Sequence, residues 1–168
     1  MREAKGRRSG VKSVRDSAVE MVEVVLPNDT NPLGNILGGR VMHLIDMAGA
    51  IAAHRHSRRH VVTASMDELH FLSPIKVGHL ILLKSSVNHV ARSSMEVGVK
   101  VLSENILTGE VRHTSTAYLT FVAIDENGKP APVPRLALET KDERRRWREA
   151  IARRRVRLAR RAKLLRKR

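Results

Sequence analysis

The sequence predicts an α+β domain in which one long helix packs on a largely antiparallel sheet, and three observations carry that prediction. From Gly38 onward, Val41, Leu44, Ile45, Ala48 and Ala52 recur at the i, i+3, i+4, i+7 and i+11 spacing of one buried helix face. Met95, Val97, Val99 and Val101 alternate with Glu96 and Lys100, the period of two that marks a strand with one face in a core. Leu80 to Val90, Ser94 to Ser103 and Val111 to Ile124 then follow one another through turns rather than helices, which favours antiparallel pairing.

The elements follow in order. Val19 to Leu26 is rich in β-branched residues and reads as a strand, ended by the polar run Pro27 to Pro32. Gly38-Gly39 opens the helix, and the charged patch His54 to His60 closes it. Val61 to Met66 begins a strand expected to run through Leu72, where Ser73-Pro74 breaks it, with His70 at the sheet rim. Ala91-Arg92-Ser93 and Glu104 to Gly109 are the turns between the later strands, and Asp125 to Lys129 ends the sheet. Pro130, Pro132 and Pro134 read as an extended linker. A second helix starts at Lys141, with Trp147, Ile151, Leu158, Ala162 and Leu165 on one narrow stripe among arginines. It reads as a solvated helix whose Trp147 and Ile151 dock on the body, the alternative being a tail that binds a partner or nucleic acid.

At 168 residues the chain suits one domain. Its net charge of +15 is unevenly spread. Residues 1–15 hold six Lys/Arg against one acid, and residues 141–168 hold fifteen against three, so residues 16–140 carry 15 − 5 − 12 = −2. The organisation read from this is a basic N-terminal segment (1–15), a domain (16–140) and an Arg-rich C-terminal helix (141–168). With two Phe, one Tyr and one Trp, the chain lacks the rings that single-stranded nucleic-acid binders stack on bases. The absence of cysteine excludes disulfides, thiolate metal sites and a cysteine nucleophile. No apolar run of signal-peptide or membrane-span length is present, which reads as a soluble, cytoplasmic protein.

Asp46 is the chemically conspicuous residue. It is the only carboxylate inside the apolar helix, with Met42, Gly49 and Ala50 one turn away, so the face that carries it is also largely apolar. Isolated carboxylates in such settings mark sites more often than surface acids do. Gly38 and Gly39 open the same helix, where unpaired N–H groups and the positive dipole end can face an oxyanion. Arg92, Ser93 and Ser94 offer a forked cation and hydroxyls to a phosphate. His54, His56 and His60 cluster, but Arg55, Arg58 and Arg59 surround them and disfavour a dication, so no metal site is expected. No nucleophile elbow, Walker loop or dinucleotide fingerprint occurs.

These residues sit in segments that together resemble the hotdog-fold acyl-CoA thioesterases of the cytosolic acyl-CoA hydrolase group. The segments are Asp29-Thr30-Asn31 followed by GNILGG, then LIDMAGAIAA, VVTASMDELHFLSPIKVGH, ARSSMEVGVKVLSENILTGE and TFVAIDENGKPAPVPRLALETKDERRRW, in unbroken order over about residues 18–148. The resemblance implies a long central helix wrapped by a curved antiparallel sheet. It also implies at least a homodimer, and a trimer of dimers, with acyl-CoA bound between subunits. It implies that Asp46 is the catalytic acid and that Asn31, from the opposite subunit, meets it. Gly39 would supply the donor to the thioester oxygen, with Gly38 beside it, while Arg92, Ser93 and Ser94 lie near the nucleotide end of CoA. No cofactor is implied beyond the CoA of substrate and product. His79 stands where the family usually has an acid, which bears on selectivity, and acyl chain length depends on a pocket depth set after assembly by side chains such as Met42, Met66 and Leu69. The rival readings are a hotdog hydratase or dehydratase using His43, and a basic nucleic-acid-associated protein acting through its tails.

Overall fold

The computed structural model describes residues 10–166. The cations Arg2, Lys5, Arg7 and Arg8 lie outside the described residues. In chain order the elements are β1 (Val11–Ser13), β2 (Val19–Val24), α1 (Gly38–Ser57), β3 (His60–Met66), β4 (Leu80–Val90), β5 (Ser94–Glu104), β6 (Val111–Ile124), β7 (Arg135–Ala137) and α2 (Lys141–Leu165). Five strands form one antiparallel sheet in the order β2-β4-β5-β6-β3, which curls around α1. Sequence-adjacent β4, β5 and β6 are sheet neighbours, as short turns require.

The helical stripe is the buried face of α1. Val41, Leu44, Ile45, Ala48 and Ala52 are at most 1% exposed and pack on Leu83, Val87, Val97, Val99, Leu119 and Phe121 of the sheet. Gly49 completes that face by its lack of a side chain. A Cβ there would lie 3.0 Å from two atoms of the Phe121 ring, so the glycine lets the helix approach the sheet. Ser85 Oγ donates to the Ala48 carbonyl at 2.8 Å, tying β4 to the middle of the helix. Arg58, in the left-handed conformation at φ 52°, ends α1 and returns its N–H to His54 O.

Two expectations differ from the structure, and the surroundings of Glu96 and α2 add to what the sequence suggested. The strand after α1 ends at Met66 rather than Leu72, and residues 67–74 form a loop in which Leu72 N–H still bonds Thr114 O. The proline segment does more than link, because Pro130 bridges to Ile124 and β7 pairs in parallel with β1. That pairing depends on contact between distant segments, which a three-residue strand does not announce locally. Ser17, just after β1, donates to Val14 O and accepts the Val87 N–H beside the β4 bulge. Glu96 does face away from α1, but it is not solvated: it is 2% exposed beneath α2.

The docking of α2 involves more than its apolar residues. A capping box starts it, with Thr140 accepting from Glu143 N–H and Glu143 accepting from Thr140 N–H. The helix then lies on the outer sheet face through fully buried Ala150 and through Arg153 and Arg157, beside Trp147 and Ile151. Trp147 and Ile151 are half-buried, but Leu158 and Leu165 are 46% and 60% exposed. Arg153 and Arg157 each place an Nη2 2.7 Å from Glu96, Arg157 Nη1 reaches Asp67 at 2.7 Å, and Arg153 lies 3.5 Å over the Tyr118 ring. Guanidinium forks reach a buried carboxylate across a helix-sheet gap that leucines would leave polar, so charge pairing selects the docked face. No described helix is long and apolar enough to cross a membrane.

His56 closes the far end of α1. It is fully buried, and its Nε2 lies 2.9 Å from Pro134 O, which accepts only from an N–H, so this nitrogen carries the proton. Burial pushes the imidazole below its ordinary pKa, and the Pro134 carbonyl only partly offsets that. His89 is pushed the same way, by burial and then by Arg154. The unfolded chain therefore binds these protons more readily than the folded one, and stability falls as pH drops below about 6.5. In urea titrations at several pH values, His56→Gln should flatten this slope and leave the His89 contribution. An unchanged slope would assign the titration elsewhere.

Candidate active site

Asp46 lies two turns into α1 on the face turned away from the sheet core, and it is half-buried. Its Oδ1 accepts a 2.7 Å hydrogen bond from Thr63 Oγ1. Thr63 lies opposite Phe121 on the edge strand β3, at a bulge where the register shifts before Ser65. A bulge re-aims side chains on an edge strand, and here the hydroxyl is directed at the helix. Around the carboxylate, Met42 and Met47 are 43% and 38% exposed, and His43 is exposed beside them. The apolar second face is real, and this single chain leaves it open.

Asn31 organises the loop before the helix. Its Oδ1 accepts from Leu33 N–H at 3.0 Å and Asn35 N–H at 3.2 Å, and its own N–H bonds Asn35 O. Gly34, at φ 75°, makes the tight turn possible. Pairing of Asn35 with Lys76 and of Ile36 N–H with Ile75 O anchors the loop to the body. With its oxygen committed, Asn31 keeps the Nδ2 group without a partner among the described residues.

The helix start has no side-chain cap at Leu37. Arg40 and Val41 N–H both bond Leu37 O, and the N–H groups of Gly38 and Gly39 have no partner among the described residues. Nothing lies within 4 Å of where a Gly39 Cβ would be, whereas a Cβ on Gly38 would lie 3.5 Å from the Phe71 ring. Gly39 thus keeps an unpartnered donor at the positive end of the helix dipole, with open space where its side chain would be.

Gly39 and Asp46 are seven residues apart on one straight helix, about 10 Å along its axis. Among the described residues no hydrogen bond joins Asp46 to Gly39 or Asn31, and the side-chain partner of Asp46 is Thr63. Arg92, Ser93 and Ser94 form the β4–β5 turn, where Ala91 N–H bonds Ser94 O. Ser94 lies opposite Val122, itself opposite Val62, so the turn sits two strands from β3, about 10 Å across the sheet. Of the histidines considered for a metal, His54 Nδ1 lies 2.8 Å from Arg59 O and His56 is spent on Pro134.

Thr63 is the residue that the sequence analysis missed. The available signal was a hydroxyl in an inward register of an apolar strand, in step with Val61.

The profile of the thioesterase superfamily matches residues 33–110. An uncharacterized acyl-CoA thioester hydrolase of Bacillus subtilis, YkhA, is 48% identical over 129 residues, 77% of this chain and 75% of that protein. Among solved structures, an apo-hexameric acyl-CoA thioesterase superposes with a TM-score of 0.87 at 44% identity, covering 90% of this chain and 97% of that one. The acyl-CoA hydrolase of Staphylococcus aureus, solved with butyryl coenzyme A and coenzyme A, superposes with a TM-score of 0.88 at 35% identity, covering 94% and 96%. That enzyme has also been solved with alanine at an asparagine, an aspartate and a threonine whose successive spacings are fifteen and seventeen residues. Asn31, Asp46 and Thr63 have the same two spacings. Helix-in-sheet architecture, sequence identity and chain coverage agree, and the chain belongs to the thioesterase superfamily.

Proposed function

We propose that this protein hydrolyses the thioester of acyl-CoA to a free fatty acid and CoA, in the cytoplasm, without a cofactor beyond the CoA of the substrate. The observation that carries the reading is the Asp46–Thr63 pair on the open apolar face of α1, at the spacing from Asn31 found among the mutated residues of the Staphylococcus aureus hydrolase. Asp46 is the general base that takes a proton from water, or the nucleophile that forms a transient anhydride. Thr63 is a positioning residue that fixes the carboxylate. In the general-base route, water oxygen bonds to the thioester carbon and Asp46 receives its proton. The tetrahedral oxyanion is held by Gly39 N–H, with Gly38 beside it, and Asn31 Nδ2 orients water or carbonyl. Collapse breaks the carbon–sulfur bond, and the proton passes to a thiolate whose conjugate acid has a pKa of about 8.5, so departure needs no strong acid. Arg92, Ser93 and Ser94 hold the phosphates of CoA.

The separation of about 10 Å between Gly39 and Asp46 supports a site shared by two copies. The exposed Met42 and Met47 and the free edge of β3 are the surfaces such a dimer covers, and a trimer of dimers accords with the hexameric relative. The test uses two inactive variants, Asn31→Ala and Asp46→Asn, co-refolded in equal amounts. A two-fold dimer of the two variants has one intact and one doubly defective site, so about a quarter of wild-type CoA release should return. No recovery from properly assembled mixtures refutes the shared site. A panel of acyl-CoA esters of graded length tests the substrate class, and absence of CoA release from every ester refutes the activity itself.

A further inference from the structure

The C-terminal part of α2 extends beyond the contacts that hold the helix on the sheet. Trp147 lies 6.0 Å from the His89 ring, Ala150 is buried, and Arg153 and Arg157 are paired with Glu96. From Leu158 to Arg166 every residue is exposed. Here Leu158, Ala162 and Leu165 continue one stripe at steps of four and three. At 100° per residue, Arg154 and Arg161 flank one side of it and Arg155 and Arg166 the other. Arg154, Arg155, Arg160, Arg161, Lys163 and Arg166 have no ionic partner among the described residues, in contrast to Arg153 and Arg157. Residues 158–166 contain no acid.

We propose that this part of α2 is a docking surface for anionic lipid, lying in the plane of a membrane surface with Leu158, Ala162 and Leu165 toward the acyl layer and the cations among the headgroups. An apolar stripe with cations on both flanks is the arrangement that a lipid interface satisfies in full. A nucleic acid would neutralise the cations but leave the leucines in water. A second copy of the same helix end would set six unpaired cations against six. Taken with the proposed hydrolysis, on which this consequence rests, the helix would hold the enzyme where acyl chains partition.

The test uses the full chain and sedimentation with vesicles. One set is phosphatidylcholine alone, and the other is an equal mixture of phosphatidylcholine and phosphatidylglycerol. The wild type should pellet with the mixed vesicles, not with phosphatidylcholine, and should be released by high salt. Leu158→Ser with Leu165→Ser, and separately Arg155→Gln with Arg161→Gln, should each lower the bound fraction roughly tenfold. Both should leave hydrolysis of a short, freely soluble acyl-CoA unchanged. Vesicle binding is read without turnover, so an inactive protein that still binds would refute only the proposed reaction. Wild type that stays in solution with mixed vesicles overturns the proposal. So does undiminished binding by the leucine variant, loss of subunit assembly in that variant, or RNA binding in the absence of vesicle binding.

Discussion

Asp46→Asn is expected to lower the rate of CoA release from an acyl-CoA ester about 10³-fold, while the circular dichroism spectrum and the assembly state stay those of the wild type. The substitution is nearly isosteric, and the amide still accepts from Thr63 Oγ1, so the change falls on charge and basicity alone. A neutral amide neither takes the proton of an attacking water nor attacks a thioester. His43→Ala is the matched control, because His43 lies one turn from Asp46 on the same exposed face and is the group a hydratase would use. It should retain hydrolysis within a few-fold. An active and correctly assembled Asp46→Asn variant would remove the carboxylate from the mechanism, and collapse of activity in His43→Ala alone would favour the hydratase reading. Thr63→Val should sit between the two, lowering kcat more than it raises KM, because the carboxylate then loses the donor that fixes it.

The second large effect concerns stability. Glu96→Gln should destabilise the protein by about 3 kcal/mol, read as a lower urea midpoint at fixed protein concentration. The Glu96 side chain is 1% exposed and faces two guanidinium groups that keep about a fifth of their surface in water. Removing its charge leaves both arginines against the sheet with only Asp67 as counter-ion. Their partial solvation sets the effect at the lower end of the range for breaking a buried ion pair. Replacing the whole cluster, Glu96→Met with Arg153→Leu, Arg157→Leu and Asp67→Asn, should recover most of the loss, because no unpaired charge is then left against the sheet. A Glu96→Gln variant as stable as wild type would show that α2 is held by Trp147 and Ala150 rather than by the ion pairs.

Much of the fold was legible because its signals are local. The helix face from Val41 to Ala52 and the alternation from Met95 to Val101 are periodicities within single segments, and the burial pattern follows them. The β4, β5 and β6 strands were readable because the turns between them are short and rich in turn residues. The β1–β7 pair was not legible, since three residues before β2 and three before α2 carry no period and become strands only by meeting. The docked face of α2 was legible only in part. Trp147 and Ile151 are half-buried and the last turns are exposed, as the apolar pattern suggested, but the outer sheet face also presents a carboxylate, and a carboxylate selects arginines.

By itself the sequence determined an antiparallel α+β domain around one helix, the isolation of Asp46 on it, the uncapped glycine pair at its start, and basicity confined to the chain ends. Only the tertiary structure decided that Thr63 holds Asp46, that Asn31 spends its carbonyl on its own loop, and that Glu96 meets Arg153 and Arg157 beneath α2. The physical reason is range. Propensity and periodicity are fixed by neighbours along the chain, whereas a hydrogen bond across 17 residues, or an ion pair across 57, exists only once the sheet has curled around its helix.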